Sequence, residues 1–207
     1  EEAVSYVKTH FMGPVMGVHI RGTDKDSRVG GQKIHAPAYY DLIDEFLCQT
    51  GGKIFLATED ANVLSVMKDR YHEALLYRDA DRGNANPFLR ADADGYKLGF
   101  DVLMDTLILA QCCFLVKQSS AVGEFSIYAR PSLHASSFDF QIAGFDPAAK
   151  INFSSTCLSP EPLDIFINPA PFPPPLCERS NNCLSLTSDM LSQSNLGKSL
   201  AGKVLRI

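Results

Sequence analysis

Pro14-Val15-Met16-Gly17-Val18-His19-Ile20-Arg21-Gly22-Thr23-Asp24-Lys25 is the stretch from which the architecture of this chain can be argued. Its first seven residues are almost wholly apolar. The next five are polar and contain a glycine. A short apolar run that stops this abruptly predicts a strand, Val15–Ile20, buried on both faces and leading into a loop. In open α/β sheets, ligands bind just beyond the carboxyl ends of the strands. A guanidinium there, Arg21, suits a phosphate because its planar fork donates two hydrogen bonds at once. The same residues equally fit a surface turn in which Arg21 and Asp24 pair with each other.

Outward from this strand the chain alternates strand and helix. Residues 37–48 predict a helix with Pro37 in its first turn. Residues 53–57 form a strand around Ile54-Phe55-Leu56, and Asp60 is placed to cap a helix over 61–71. A short strand at 74–77 precedes a long polar loop, 78–94, of a length that in compact domains goes with function. Asp94 or Gly95 opens a helix reaching about Gln111. A fourth strand occupies 113–117, and Ser119 is placed to cap a helix to about Ala129, stopped by Pro131. This order implies a Rossmann-like, doubly wound, mainly parallel sheet covered on both faces. Strand order is not readable from it. Residues 1–145 are assigned to this α/β domain. Residues 146–207, with many prolines over 160–175 and a Ser/Asn/Leu-rich stretch over 180–198, are assigned to a tail that is poorly ordered or draped over the domain.

The chain has 207 residues and a net charge of −5, which argues against a nucleic-acid partner. No apolar run is long enough for a bilayer span. A chain that begins at Glu1 and reaches its first strand within about fifteen residues is expected to be a fragment, with any targeting or anchor segment upstream. Cys48, Cys112 and Cys113 fall in apolar patterns and are expected in the core. Cys157, Cys177 and Cys183 lie in the tail at spacings that match no zinc site, and a disulfide there stays open. Asn152-Phe153-Ser154 is a glycosylation sequon and slightly favours the secretory pathway.

The strand ends carry the candidate chemistry. The first offers His19, Arg21, Asp24 and Lys25; the second, Thr58-Glu59-Asp60; the fourth, Lys117-Gln118-Ser119-Ser120. A helix N-terminus presents free N–H groups, so Ser119-Ser120 fits either a phosphate site or simple capping. Asp105 shares a helix face with Leu98, Val102 and Leu109. A carboxylate in so apolar a helix needs a partner. A Lys, Arg or backbone N–H would serve, and so would the N–H groups on guanine's edge. His10, His35, His72 and His134 lack metal-ligand spacing, and the GxGxxG, Walker A and GxSxG patterns are missing. No metal and no cofactor are expected.

Four blocks then form a recognisable series. Gly17-Val18-His19-Ile20-Arg21-Gly22-Thr23-Asp24-Lys25 resembles the H-x-R-R-x-D signature of the α1,6-, α1,2- and protein O-fucosyltransferase superfamily. Ile54–Asp60 resembles its second block, an apolar strand followed by A-T-D/E-D. Leu103–Cys112 resembles its third, an L-x-D helix, and Phe114–Ser120 a strand ending in a serine pair. Order and spacing agree over roughly residues 15–129, most of all with core-fucosylating and nodulation α1,6-fucosyltransferases. The resemblance implies the C-terminal, donor-binding half of a GT-B glycosyltransferase that inverts the anomeric centre without a metal. The donor would be GDP-fucose and the acceptor a glycan or glycoprotein. The compartment would be the Golgi lumen in a eukaryote, the cytoplasm in a bacterium. It further implies that Arg21 holds the β-phosphate, His19 and Asp105 contact guanosine, Ser119 and Ser120 cradle the diphosphate, and Asp60 lies near the nucleoside. Asp24 and Lys25 would stand near the reacting end. Three departures accompany it. Gly22 replaces the second arginine of the signature, Val29 stands where core-fucosylating enzymes carry an acceptor-deprotonating glutamate, and the acceptor half is missing. A non-catalytic nucleotide-sugar- or glycan-binding module is the alternative.

Overall fold

The computed structural model describes residues 1–22, 34–82, 94–142 and 151–157, all within one unit, Glu1–Ile167. Among the described residues five strands form a single sheet: β1 (Val15–His19), β2 (Lys53–Ala57), β3 (Leu75–Leu76), β4 (Phe114–Lys117) and β5 (Ser137–Asp139). Every pairing is parallel, and the order is β3-β2-β1-β4-β5. The expected doubly wound α/β fold is therefore present. The order adds what the sequence withheld. From β1 the chain steps outward through β2 to β3, then returns to place β4 on the other side of β1. The carboxyl ends of β1 and β4 thus flank the switch point where open α/β sheets bind ligands.

Side-chain parity explains both layers. Met16, Val18, Ile54, Leu56, Phe114 and Val116 point to one face and pack against α2 (Tyr40–Thr50) and α3 (Ala61–Tyr71). Val15, Phe55, Ala57 and Leu115 point to the other. There they meet α1 (Glu2–His10) and α4 (Gly95–Leu109), with Val122 and Ile127 of α5 (Ala121–Ala129) packed alongside. Gly17 belongs to this second face. A Cβ there would lie 2.9 Å from Leu109 Cδ2 and 3.1 Å from Cys112 Sγ, so glycine lets α4 sit down on the strand. His19 continues the same parity, which turns it toward α4 rather than α2.

Helix starts follow their caps. Asp60 accepts from Asn62 N and Val63 N, and Asp94 from Tyr96 N and Lys97 N. Gly51 ends α2 in the left-handed region, at φ 60°. Differences from the sequence reading have local causes. The helix expected over 37–48 begins as a 3-10 turn, Ala36–Tyr39, with Pro37 near its start, and becomes α-helical only at Tyr40. Ser120 caps α5, not Ser119. Cys113 is not a free core thiol: it is bonded to Cys157. Residues 151–157, on the tail side of the boundary drawn at 145, pack into the core as α6 (Phe153–Cys157), with Phe153 fully buried against Phe46 and Phe114. Gln49 at the end of α2 holds this helix: its amide oxygen accepts from Phe153 N at 2.8 Å, and its amide nitrogen donates to Ile151 O at 2.9 Å. Asn152 Oδ1 accepts from Ser155 N. Residues 158–207, including Cys177 and Cys183, lie outside the described residues. Among the described residues no helix is long and apolar enough to cross a membrane.

Candidate functional site

The carboxyl edge of the sheet carries a cleft of about 500 Å³, counted out to its open mouth. The part of it that the walls enclose is about 70 Å³. Ala57, Leu98, Val102 and Val122 give it apolar surface. Glu59, Asp81, Asp101 and Asp105 give it carboxylates, and His19 completes it. Among the described residues no lysine or arginine lines it. A group rich in hydrogen-bond donors fits such walls; a phosphate does not.

Asp105 is the centre of this arrangement. It lies on the buried face of α4, and Asp101 stands one helical turn before it. Two acids at this spacing on an apolar helix require a cation, and Arg78 provides it. Its guanidinium reaches Asp101 Oδ1 at 3.1 Å and Asp105 Oδ1 at 3.3 Å. Arg82 lies behind, donating through Nε to Thr58 O and through Nη1 to Arg78 O. Burial pushes the Asp105 carboxyl up to about 6; the charges of Arg78 and Arg82 oppose this, and Asp101 adds to it. Arg78, Arg82 and Asp101 were not singled out from the sequence. The available sign was the pair Asp101 and Asp105, four apart on one apolar helix.

The other sequence-derived residues fall as follows. His19 is 5% exposed and makes a 3.1 Å contact from Nδ1 to Ser120 Oγ. Its carbonyl accepts from Tyr39 Oη. Ser120 Oγ also accepts from Gly123 N, so one hydroxyl joins the start of α5 to the end of β1. The next N–H groups, of Ala121 and Val122, have no acceptor within the helix, as at any helix start. Arg21 is half-buried just past β1, and its carbonyl accepts from Gln118 Nε2 at 3.0 Å. Arg21 and Ser120 thus come from strands that are neighbours at the switch point. Ser119 donates from Oγ to Asp139 and from N to Gln141 Oε1. Asp60 spends Oδ1 on capping α3. Asp24, Lys25 and Val29 lie outside the described residues.

Gly22 is buried. Its N–H donates to Glu59 Oε1 at 2.8 Å, and a Cβ would stand 2.7 Å from Asp60 Cβ. The cap of α3 closes on the backbone at this point and leaves no room for a side chain without movement.

No protein-family model matches the chain, and no curated protein does. Solved structures do. The chain is similar in part to NodZ fucosyltransferases. One is NodZ alpha-1,6-fucosyltransferase co-crystallised with GDP, at 18% identity and a TM-score of 0.41 over 61% of this chain and 39% of that one. A second is the same enzyme soaked with GDP-fucose, at 19% identity and a TM-score of 0.41 over 60% and 39%. A third is fucosyltransferase NodZ from Bradyrhizobium, at 19% identity and a TM-score of 0.42 over 61% and 40%. The chain therefore spans about two-fifths of the length of the NodZ structures.

Proposed function

We propose that this chain is the donor-binding domain of a GDP-fucose-dependent glycosyltransferase that transfers fucose with inversion to a glycan or glycoprotein. The observation that carries the reading is the pairing of two unlike subsites at one switch point. An acidic, half-apolar cleft around Asp105 suits a base with N–H donors. Beside it, Arg21 and the start of α5 suit a diphosphate. A nucleotide has both ends. The four-block resemblance in sequence supplies guanine and fucose as the particular ligand.

In this reading Asp105 Oδ2 accepts from the base, and His19 packs at the nucleoside. Arg21 and the positive end of α5 neutralise the charge that develops on the leaving diphosphate, which is where transition-state stabilisation is needed. The acceptor hydroxyl requires a base. Asp24, Asp26 or a group from an acceptor domain would serve. A separate acceptor half, a GT-B arrangement and a secretory compartment belong to the same proposal.

Arg21→Ala tests it. GDP affinity is expected to fall about tenfold or more, since a charge-assisted hydrogen bond is worth roughly 1.5–3 kcal/mol. Guanosine affinity should hold. Equal losses for both ligands would refute the phosphate role of Arg21. A second reading, a binding module without transfer, is favoured by the tight fit of Gly22 against Asp60 where the signature carries an arginine. Turnover of GDP-fucose by this chain joined to its acceptor half separates the two: transfer supports the enzyme, and binding without transfer supports the module.

A further inference from the structure

Arg78 stands at an unusual junction. Nη2 donates to Asp101 Oδ1 at 3.1 Å, while Nη1 donates to the Asp101 carbonyl at 3.2 Å and to Asp105 Oδ1 at 3.3 Å. One planar fork therefore pins two carboxylates a helical turn apart. Asp101 is held a second time, by Asp81 N on Oδ2 at 3.4 Å. Among the described residues Asp105 has only the Arg78 contact, and its Oδ2 accepts no hydrogen bond. Arg78 and both acids are nearly as enclosed as one another, with side chains 11–12% exposed.

We propose that Arg78 is the positioning residue for base recognition: anchored on Asp101, it fixes Asp105 by Oδ1 and keeps it ionised, so that Oδ2 is presented to the base as an acceptor. This rests on the reading of the cleft as a guanine-nucleotide site. A protonated Asp105 would set a donor against the N–H groups of the base. A neutral side chain at 78 would leave two buried acids without their cation, which disfavours charge on both. A lysine would keep the charge but could not span both carboxylates as a fork does. The groups facing Asp105 are Tyr6 from α1, Asp101 from its own helix and Arg78, Asp81 and Arg82 from the segment after β3. His19 and Glu59 face it from the ends of β1 and β2, and Val122 of α5 is apolar. Of these, Arg78 is in contact with its carboxylate.

The test has two readouts on the whole 207-residue chain. One is the Asp105 carboxyl titration followed by carbon NMR without ligand. The other is GDP affinity by calorimetry from pH 5 to 8.5. In the wild type, GDP affinity should drop about tenfold between pH 7 and pH 5, as the ionised fraction of Asp105 falls. In Arg78→Gln the carboxyl midpoint should move to higher pH. GDP affinity at pH 7 should fall several-fold, and much of it should return by pH 8.5. Arg78→Lys should lie between. Asp101→Asn should move the midpoint the other way, to lower pH, because it removes a neighbouring negative charge. His19 is present in every variant, so the differences report Asp105. Coincident midpoints in the wild type, Arg78→Gln and Asp101→Asn would overturn the proposal. Should Arg78→Gln not fold, the opposite shifts expected of Arg78→Lys and Asp101→Asn decide it. If GDP binds the wild type at no pH, the ligand reading fails by itself, and the NMR midpoints still show whether Arg78 sets the state of Asp105.

Discussion

Two aspartates at the same sheet edge, Asp105 and Asp139, have opposite surroundings. Asp139 accepts from Lys117 Nζ at 2.6 Å and Ser119 Oγ at 3.0 Å on Oδ2, and from Gln141 N at 2.9 Å on Oδ1. Burial pushes its carboxyl up, but the hydrogen bonds from Lys117 and Gln141 and the charge of Lys117 outweigh that, and it lies below its ordinary value. Among the described residues Asp105 is in contact with one cation, Arg78, which it shares with Asp101, and it has one committed oxygen; burial prevails and raises it to about 6. Both began as buried carboxylates near a basic side chain. The difference is saturation. A carboxylate that accepts hydrogen bonds on both oxygens holds the fold together. One left half-satisfied beside a cleft stores binding capacity at a cost in stability.

The strongest way to break this contrast is to remove the cation from the saturated site. Lys117→Met keeps the length and leaves Asp139 buried without its charge partner. A loss of about 3–5 kcal/mol is expected in denaturant unfolding. A loss below about 1 kcal/mol would show that Asp139 is no more committed than Asp105.

Asp105→Asn should do the opposite to stability and harm binding. The folded carboxyl titrates higher than an unfolded one, so its favourable contribution is full below about pH 4 and lost as pH rises through about 6. Above that, the ionised group is a net burden. The substituted protein should be more stable than wild type at pH 7.5 by on the order of 1–3 kcal/mol, the gap closing toward pH 4. Its preference for GDP over UDP should shrink, because one base N–H meets a donor. A stability loss at pH 7.5 would show that the Arg78 pair holds the fold. For Asp139 the sign reverses: its contribution is present above the unfolded carboxyl range and lost as pH falls through the lowered folded value. Asp139→Asn should therefore flatten the acid limb of the stability curve and leave its neutral limb parallel to wild type.

The smallest effect sharpens the same point. Glu124 also contacts Lys117, but its side chain is 54% exposed. Glu124→Gln should cost between 0 and about 1 kcal/mol, and that much only at low salt. A larger cost would mean that Lys117 needs both acids.

The fold was legible where local chemistry and pattern coincide. β2 over 53–57 and α3 over 61–71 appear as expected because an apolar core and an aspartate cap mark them without ambiguity. α1, β5 and α6 were not expected. β5 is three residues long, and α6 five; elements this short are set by what they pack on, not by periodicity. The site was half-legible. Asp105 was conspicuous because it interrupts an apolar helix. Its cation was not, because Arg78 lies twenty-seven residues upstream in a polar segment, and only the return of the chain from β3 to α4 brings them together. The proximity of Arg21 to Ser120 likewise depends on β4 lying beside β1, which no single sequence states.

The bond between Cys113 and Cys157 also has a mechanical side. Cys113 leads directly into β4, an inner strand of the sheet. Tension applied to the chain beyond residue 157 would pass through that covalent link to β4 and bypass β5, the edge strand that comes between them in sequence. With the bond intact, pulling loads the start of a strand that is paired on both sides. With the bond reduced, the same pull first strips α6 and then peels β5 from the edge. Single-molecule stretching with and without reductant should therefore show two different orders of rupture.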